Sequence, residues 1–289
     1  MKYECITVTP ISPHIGAEIG NIDLTRPLSD KEVAELRAAF IEYQVIFFRN
    51  QKISFEDQIR TASYFGKLGK HVGVNTISKT TDNPYVRKFH YDETSKQISG
   101  ENFHSDQSCA PIPPMASMLY NHTVPPHGGG DTMFANMYLA YDALSDTMKK
   151  LLEGLEAIHD LRVAKHNRGQ DPATVLARTP PVAHPIVRVH PGSGRKALYI
   201  SEMTCAGIVG MKYEESKPIL EYLFQHCVQP EFTYRHSWSV GDMIGWDNRS
   251  TIHLALADYD FKAPRKLYRI TIDGRTYTVQ GASAVYDGT

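Results

Sequence analysis

Gly241-Asp-Met-Ile-Gly-Trp-Asp-Asn-Arg-Ser-Thr-Ile-His253 is the stretch that decides the fold of this 289-residue chain. Its Gly-Asp pair makes a turn, Met-Ile-Gly-Trp reads as a short buried strand, and Asp-Asn-Arg makes a second turn. The strand that follows carries His253. Turn, strand, turn and strand in close succession describe antiparallel β structure, and the pattern extends in both directions. Short strands are expected at 116–121, 131–136, 182–190, 197–201, 233–239, 243–246 and 266–272. Helices are expected near 139–155 and 214–227. Such a chain is mostly β with flanking helices, a β-sandwich or jelly-roll barrel whose mouth can hold a ligand.

Upstream, the pattern changes. Ser29-Asp-Lys-Glu32 is a capping box that opens a helix to about residue 43, with Val33, Leu36 and Phe40 on one face. Tyr43-Gln-Val-Ile-Phe-Phe48 follows as a buried strand, and Ser54 caps a second helix to about 65. Residues 72–102 are polar and without clear period, which predicts a long loop or lid, and 165–181 predicts a second loop. No internal repeat breaks the chain, so 1–289 is expected to be one domain.

Composition narrows the partners. The chain is 42% hydrophobic, with 31 basic and 32 acidic residues and a formal charge of −1. No basic stripe suggests nucleic acid or an anionic membrane, and no apolar run approaches the roughly 18 residues that span a bilayer. Cys5, Cys109, Cys205 and Cys227 are scattered, which fits free thiols better than a disulfide framework. A cytoplasmic protein acting on small molecules, and forming a homo-oligomer, is expected.

Three short motifs carry chemistry. In Asn102-Phe-His-Ser-Asp106, residues two apart on a strand share a face, so His104 and Asp106 can grip one ion. An HxD alone is weak in a chain with 13 histidines. His253, arriving from a distant strand, is either a core histidine or a third ligand. Two histidines and a carboxylate fill one face of an octahedron and leave three positions open, as in non-haem Fe(II) oxygenases, whereas structural zinc prefers four closed ligands. In Arg265-Lys-Leu-Tyr-Arg269, residues four apart share a strand face, and a buried pair of arginines requires anions. One planar fork suits the distal carboxylate of 2-oxoglutarate, and Thr132, after the turn Gly128-Gly-Gly130, offers a hydroxyl to the same group. The rival readings are a non-catalytic barrel that binds a small acid and a metal hydrolase. Neither needs the second anion site.

His-Ser-Asp at 104–106, Gly-Gly-Asp-Thr at 129–132, the 246–253 segment and the two arginines occur in that order. Together they resemble the taurine dioxygenase family, which includes the phenoxyalkanoate herbicide dioxygenases. The resemblance runs from Gly16-Ala-Glu-Ile-Gly20 to the last strand. It implies a double-stranded β-helix core and the use of Fe(II), 2-oxoglutarate and O2. By motif position it makes His104, Asp106 and His253 the metal ligands, Thr132 and Arg265 the 2-oxoglutarate ligands, and Arg269 and His71 contacts of the substrate's acid. Val74, Asn102, Cys109 and Thr204 complete the expected substrate pocket.

The chain also departs from the family pattern. Phe103 replaces a tryptophan, Cys109 and Thr204 replace pocket phenylalanines, and Val74 and Gly100 replace the tyrosine and asparagine that hold taurine's amine. A small organic acid without that amine is the expected substrate, with a C–H bond hydroxylated and succinate and CO2 released. The alternative is the same chemistry on a sulfonate or sulfate ester such as taurine.

Overall fold

The computed structural model describes residues 3–69, 78–80, 83–95, 100–260 and 263–274. Val45–Phe48 shows how its layers arise. All four residues of this strand are buried because each face meets a different core. Val45 and Phe47 join Phe134, Tyr234, Ile244, Trp246 and Leu267 between two β-sheets. Ile46 and Phe48 turn the other way, onto Leu36 and Phe40 of the first helix, Ala62 of the second and Phe65 just beyond it. A strand buried on both faces needs no polar alternation, which is why it reads as a continuous apolar run.

The larger sheet has the order Thr7–Pro10, Ala17–Gly20, Val45–Phe48, Met243–Asp247, Ala116–Thr123, Arg265–Ile272, Arg87–Tyr91 and Ser78–Thr80, with Leu68–Gly69 paired to the Arg265–Ile272 strand. The smaller sheet facing it is Thr233–His236, Thr132–Asn136 and Thr251–Ala255. Both are antiparallel apart from the pairing of Ala17–Gly20 with Val45–Phe48. The helices Met137–Asp142 and Tyr213–Cys227 cover the outside of the smaller sheet through Ala135, Ile252, Leu220 and Leu223. The protein is thus mostly β with flanking helices, and the inward rows of the two sheets converge on one cleft.

Three expectations need correction. The stretch 72–102, read as a loop, contains the strand Arg87–Tyr91, hydrogen-bonded along the Arg265–Ile272 strand. Its inward Arg87, Phe89 and Tyr91 alternate with Lys88 and His90, so charge on both faces hides the period. The stretch 165–181 contains the helix Pro172–Arg178, capped by Asp171 with proline in its first turn. The expected helix at 139–155 is two, Met137–Asp142 and Asp146–Leu152, because Ser145 caps the second by accepting from Met148 N. The capping box at Ser29 and the Ser54 cap form as read. All four cysteines are free, and no helix among the described residues is long and apolar enough to cross a membrane.

Two buried histidines give stability a pH dependence. Burial pushes His159 down to about 3 and His184 down to about 4. Their value in the unfolded chain is about 6.5, so below that pH protons bind the unfolded state first. The stability they confer is complete above about pH 6.5 and is lost as pH falls towards the folded values. Each is expected to withdraw roughly 2 kcal/mol by about pH 5. Urea midpoints should therefore drop between neutral pH and pH 5, and the double variant His159→Gln/His184→Gln should flatten that slope. An unchanged slope in the double variant would assign the pH dependence to other groups.

Candidate active site

His104 and His253 are brought together by backbone. His104 N donates to His253 O at 3.0 Å and His253 N donates to His104 O at 2.8 Å, an isolated antiparallel bridge. Their rings lie 4.2 Å apart. His104 Nδ1 donates to the Asn102 carbonyl at 2.8 Å, which fixes the tautomer and leaves Nε2 with its lone pair. Asp106 does not reach the site by strand parity. It begins a turn just past the bridge, and its carboxylate is aimed by neighbours. Ser117 Oγ donates to Asp106 Oδ2 at 2.6 Å, and Asn248 Oδ1 accepts from Asp106 N at 3.3 Å. Oδ1 is left facing the histidines, 3.9 Å from His104 Nε2 and 4.0 Å from His253 Nε2.

These three side chains suit a divalent metal. All are buried, and their donor atoms lie within 4.8 Å of one another. Burial drives His253 down to about 3 and lowers His104, so both imidazoles are neutral donors at neutral pH. Burial alone would raise Asp106, but the Arg269 guanidinium and the Ser117 hydroxyl outweigh it and hold the carboxyl far below its usual range. His253 Nδ1 is buried with no hydrogen-bond partner. The set of two neutral nitrogens and one anionic oxygen belongs to open-sided iron chemistry rather than to a closed zinc site.

The 247–249 turn braces this arrangement. Asp247 accepts from Arg249 and from His190 Nε2 at 3.0 Å, while the Asn248 side chain accepts from Trp246 Nε1 at 3.0 Å and donates to Ser117 Oγ at 3.3 Å. The sequence marks 247–249 as a turn. Ser117 was missed, since one inward serine on an apolar strand carries no signal of its own.

The residues expected to form a second anion site lie in the same cleft. Arg265 is 4% exposed, its guanidinium donates to Gly130 O, and its carbon sits 5.6 Å from the Tyr259 ring centre. A side chain at Gly130 would come within 2.9 Å of Arg265 Nε, and φ there is +69°. Glycine is therefore what lets the arginine lie against the turn. Thr132 Oγ1 accepts from Trp238 Nε1 at 3.1 Å, leaving its own proton to donate. Thr132, Arg265, Arg269, His104 and His253 line one cleft of about 550 Å³, measured out to its mouth. Its other walls include Phe89, Leu119, Trp246, Ala255 and Leu267.

The remaining expected pocket residues are distributed unevenly. Arg269 lines the cleft, but its Nη1 donates to Asp106 Oδ1 at 2.8 Å and its Nε is buried without a partner. Asn102 donates its side chain to Glu202 at 2.8 Å and meets the site only through its carbonyl. Cys109 and Thr204 are buried outside the cleft lining, where Thr204 Oγ1 bonds Ser108 Oγ at 2.9 Å and His159 Nδ1 at 3.1 Å. His71 and Val74 lie outside the described residues. Gly100 lines the cleft at φ +90°, and a side chain there would reach 2.9 Å from His104 Cε1.

Comparison with known proteins agrees with this geometry. The model of the taurine catabolism dioxygenase TauD, TfdA family matches residues 7–271. An alpha-ketoglutarate-dependent 2,4-dichlorophenoxyacetate dioxygenase of Cupriavidus pinatubonensis is 35% identical over 281 residues, covering 92% of this chain and 97% of that protein. The crystal structure of a taurine dioxygenase from Burkholderia xenovorans superposes with a TM-score of 0.81 at 36% identity, over 96% of this chain and 93% of that one. That of AAD-2 in complex with Mn(II) and N-oxalylglycine gives 0.82 at 33%, over 95% and 99%. With nearly its whole length matched, the chain belongs to the TauD/TfdA family and is an Fe(II)- and 2-oxoglutarate-dependent dioxygenase, with O2 as its second cosubstrate.

Proposed function

We propose that this enzyme hydroxylates an aliphatic C–H bond of a small organic acid with an apolar body, using His104, Asp106 and His253 as iron ligands. Arg265 and Thr132 anchor the distal carboxylate of 2-oxoglutarate, and Arg269 takes the acid group of the substrate. The observation that carries this reading is convergence. The two histidines, Arg265, Thr132 and Arg269 line one cleft, and Asp106 faces the histidines. Iron(II) with O2 and 2-oxoglutarate supplies the oxidising power, and succinate and CO2 are the by-products. A double-stranded β-helix core fits the two facing sheets.

The protein's own part is placement. Ser117 and Asn248 keep Asp106 Oδ1 turned to the histidines, and the Asn102 carbonyl keeps the His104 ring in one tautomer. The buried guanidinium of Arg265 turns 2-oxoglutarate in one direction only. Phe89, Leu119 and Leu267 exclude water beside it and accept an alkyl or aryl body. The curated relative that acts on 2,4-dichlorophenoxyacetate supports an acid of this shape. Gly100 supplies no side chain for an ammonium group, and a buried ammonium without partners costs at least several kcal/mol.

Succinate release with aryloxyalkanoates, alkyl sulfonates and taurine at equal concentration tests the reading. Aryloxyalkanoates are expected to lead. Taurine ahead by about tenfold or more, a difference of about 1.4 kcal/mol, would mean that the amine has a site and that the substrate class is wrong.

A further inference from the structure

The strands Val187–Val189 and Lys196–Leu198 form a two-stranded hairpin of their own, apart from the two facing sheets. One side chain of this hairpin reaches the turn behind the metal ligands. His190, just past the first strand, is buried, and its Nε2 lies 3.0 Å from Asp247 Oδ2. The other ring nitrogen fixes the direction of that bond. Nδ1 accepts from the backbone N–H groups of Gly192 at 3.1 Å and Ser193 at 3.0 Å. A nitrogen that accepts carries the lone pair, so the ring proton sits on Nε2 and is donated to Asp247. Burial lowers the pKa of His190 below its ordinary value and keeps the ring neutral. Burial alone would raise Asp247, but Arg249 first and then His190 outweigh it and hold the carboxyl ionised.

All three expected ligands hang from the turn that Asp247 begins. Asp247 O accepts from Thr251 Oγ1 at 2.7 Å, and Thr251 opens the strand that carries His253. The next residue, Asn248, accepts from Ser105 Oγ at 2.8 Å through its carbonyl, and Ser105 stands between His104 and Asp106. Its side chain accepts from Asp106 N and donates to Ser117 Oγ, the donor that aims the Asp106 carboxylate. Arg249 bonds Asp247 from two residues away, so those bonds are local to the turn. His190 bonds it from fifty-seven residues away, on a separate element. In a close-packed interior, a shift of Asp247 passes to the groups bonded around it. We infer that His190 is a positioning residue for the metal site, locating the 247–251 turn through Asp247 and with it the spacing of His104, Asp106 and His253. This inference rests on the reading of those three residues as the ligands.

Two substitutions separate this role from support of the hairpin. The amide of His190→Asn falls near the Nδ1 position, so it can still accept from Gly192 and Ser193 but is too short to reach Asp247. The amide of His190→Gln falls near the Nε2 position, so it can still donate to Asp247 but gives up the two backbone donors. Each variant loses buried hydrogen bonds and should melt below the wild type. Only one should disturb the metal. Mn(II) alone is titrated into metal-free protein well below the melting transition, with the free ion read by electron paramagnetic resonance. His190→Asn is expected to bind Mn(II) about tenfold more weakly, the lower end of what loss of an outer partner costs. His190→Gln should bind it as the wild type does. Wild-type affinity in His190→Asn, equal weakening in both variants, or a greater loss in His190→Gln would each overturn the inference and leave His190 a support of the hairpin. A wild-type protein that holds no Mn(II), or His104→Ala that holds it equally well, would overturn the ligand set and the inference with it.

Discussion

Asp106→Ala is expected to abolish iron-dependent turnover and to lower iron affinity by more than the roughly 10- to 100-fold that loss of an outer partner of a metal ligand costs. Two effects add. The site loses its anionic donor, leaving two neutral imidazoles on the ion. It also leaves Arg269 buried beside the metal with no carboxylate between them, so that one cation repels the other. His104→Ala and His253→Ala remove one neutral donor each and should also abolish turnover, since their reciprocal backbone bonds survive the change while the ion loses a ligand. Iron retained after dialysis, measured beside succinate release at limiting iron, checks all three. Near-normal activity of any one of them at limiting iron would remove that residue from the ligand set.

Arg265→Ala should weaken 2-oxoglutarate by about ten- to 150-fold, the equivalent of the roughly 1.5–3 kcal/mol carried by a charge-assisted hydrogen bond. Near-complete burial places the effect at the upper end, because a screened surface arginine would lose far less. Iron affinity in the absence of 2-oxoglutarate should be unchanged, since Arg265 contacts Gly130 and Tyr259 and no residue of the histidine-carboxylate group. The Michaelist constant for 2-oxoglutarate and the dissociation constant for iron separate these effects. An unchanged Michaelis constant would assign the cosubstrate to another cation.

The parts of the site readable in the sequence were those whose geometry follows from local periodicity. Arg265 and Arg269, four apart on one strand, do line one cleft, and His253 does sit on the strand after the Asp-Asn-Arg turn. Asp106 was placed beside His104 by a strand parity that the chain does not use. The turn and the Ser117 contact bring it there, and a contact between residues eleven apart leaves no periodic trace. Arg87 stayed hidden because its strand has cations or histidine on the outward face as well as an arginine on the inward one. The breaks at Ser145 and Asp171 were missed for a related reason. Each is a capping signal inside a stretch whose average character, helical in one case and loop-like in the other, overrode it. Cys109 and Thr204 entered through family likeness alone; neither lines the cleft, and Thr204 bonds Ser108 and His159 instead.

The reciprocal bonds between His104 and His253 set the terms on which this enzyme can diversify. Backbone pairing tolerates most neighbouring side chains, so the spacing of the two histidines is insulated from change elsewhere. The seat of Arg265 is likewise made by a glycine turn, with no side chain to vary. The wall beside Arg265 is all side chain, with Phe89 and Tyr91 projecting from a strand near the sheet edge. Substitution along that strand would reshape the cleft wall while leaving the spacing of the two histidines and the seat of Arg265 in place, so that shape and chemistry can change separately.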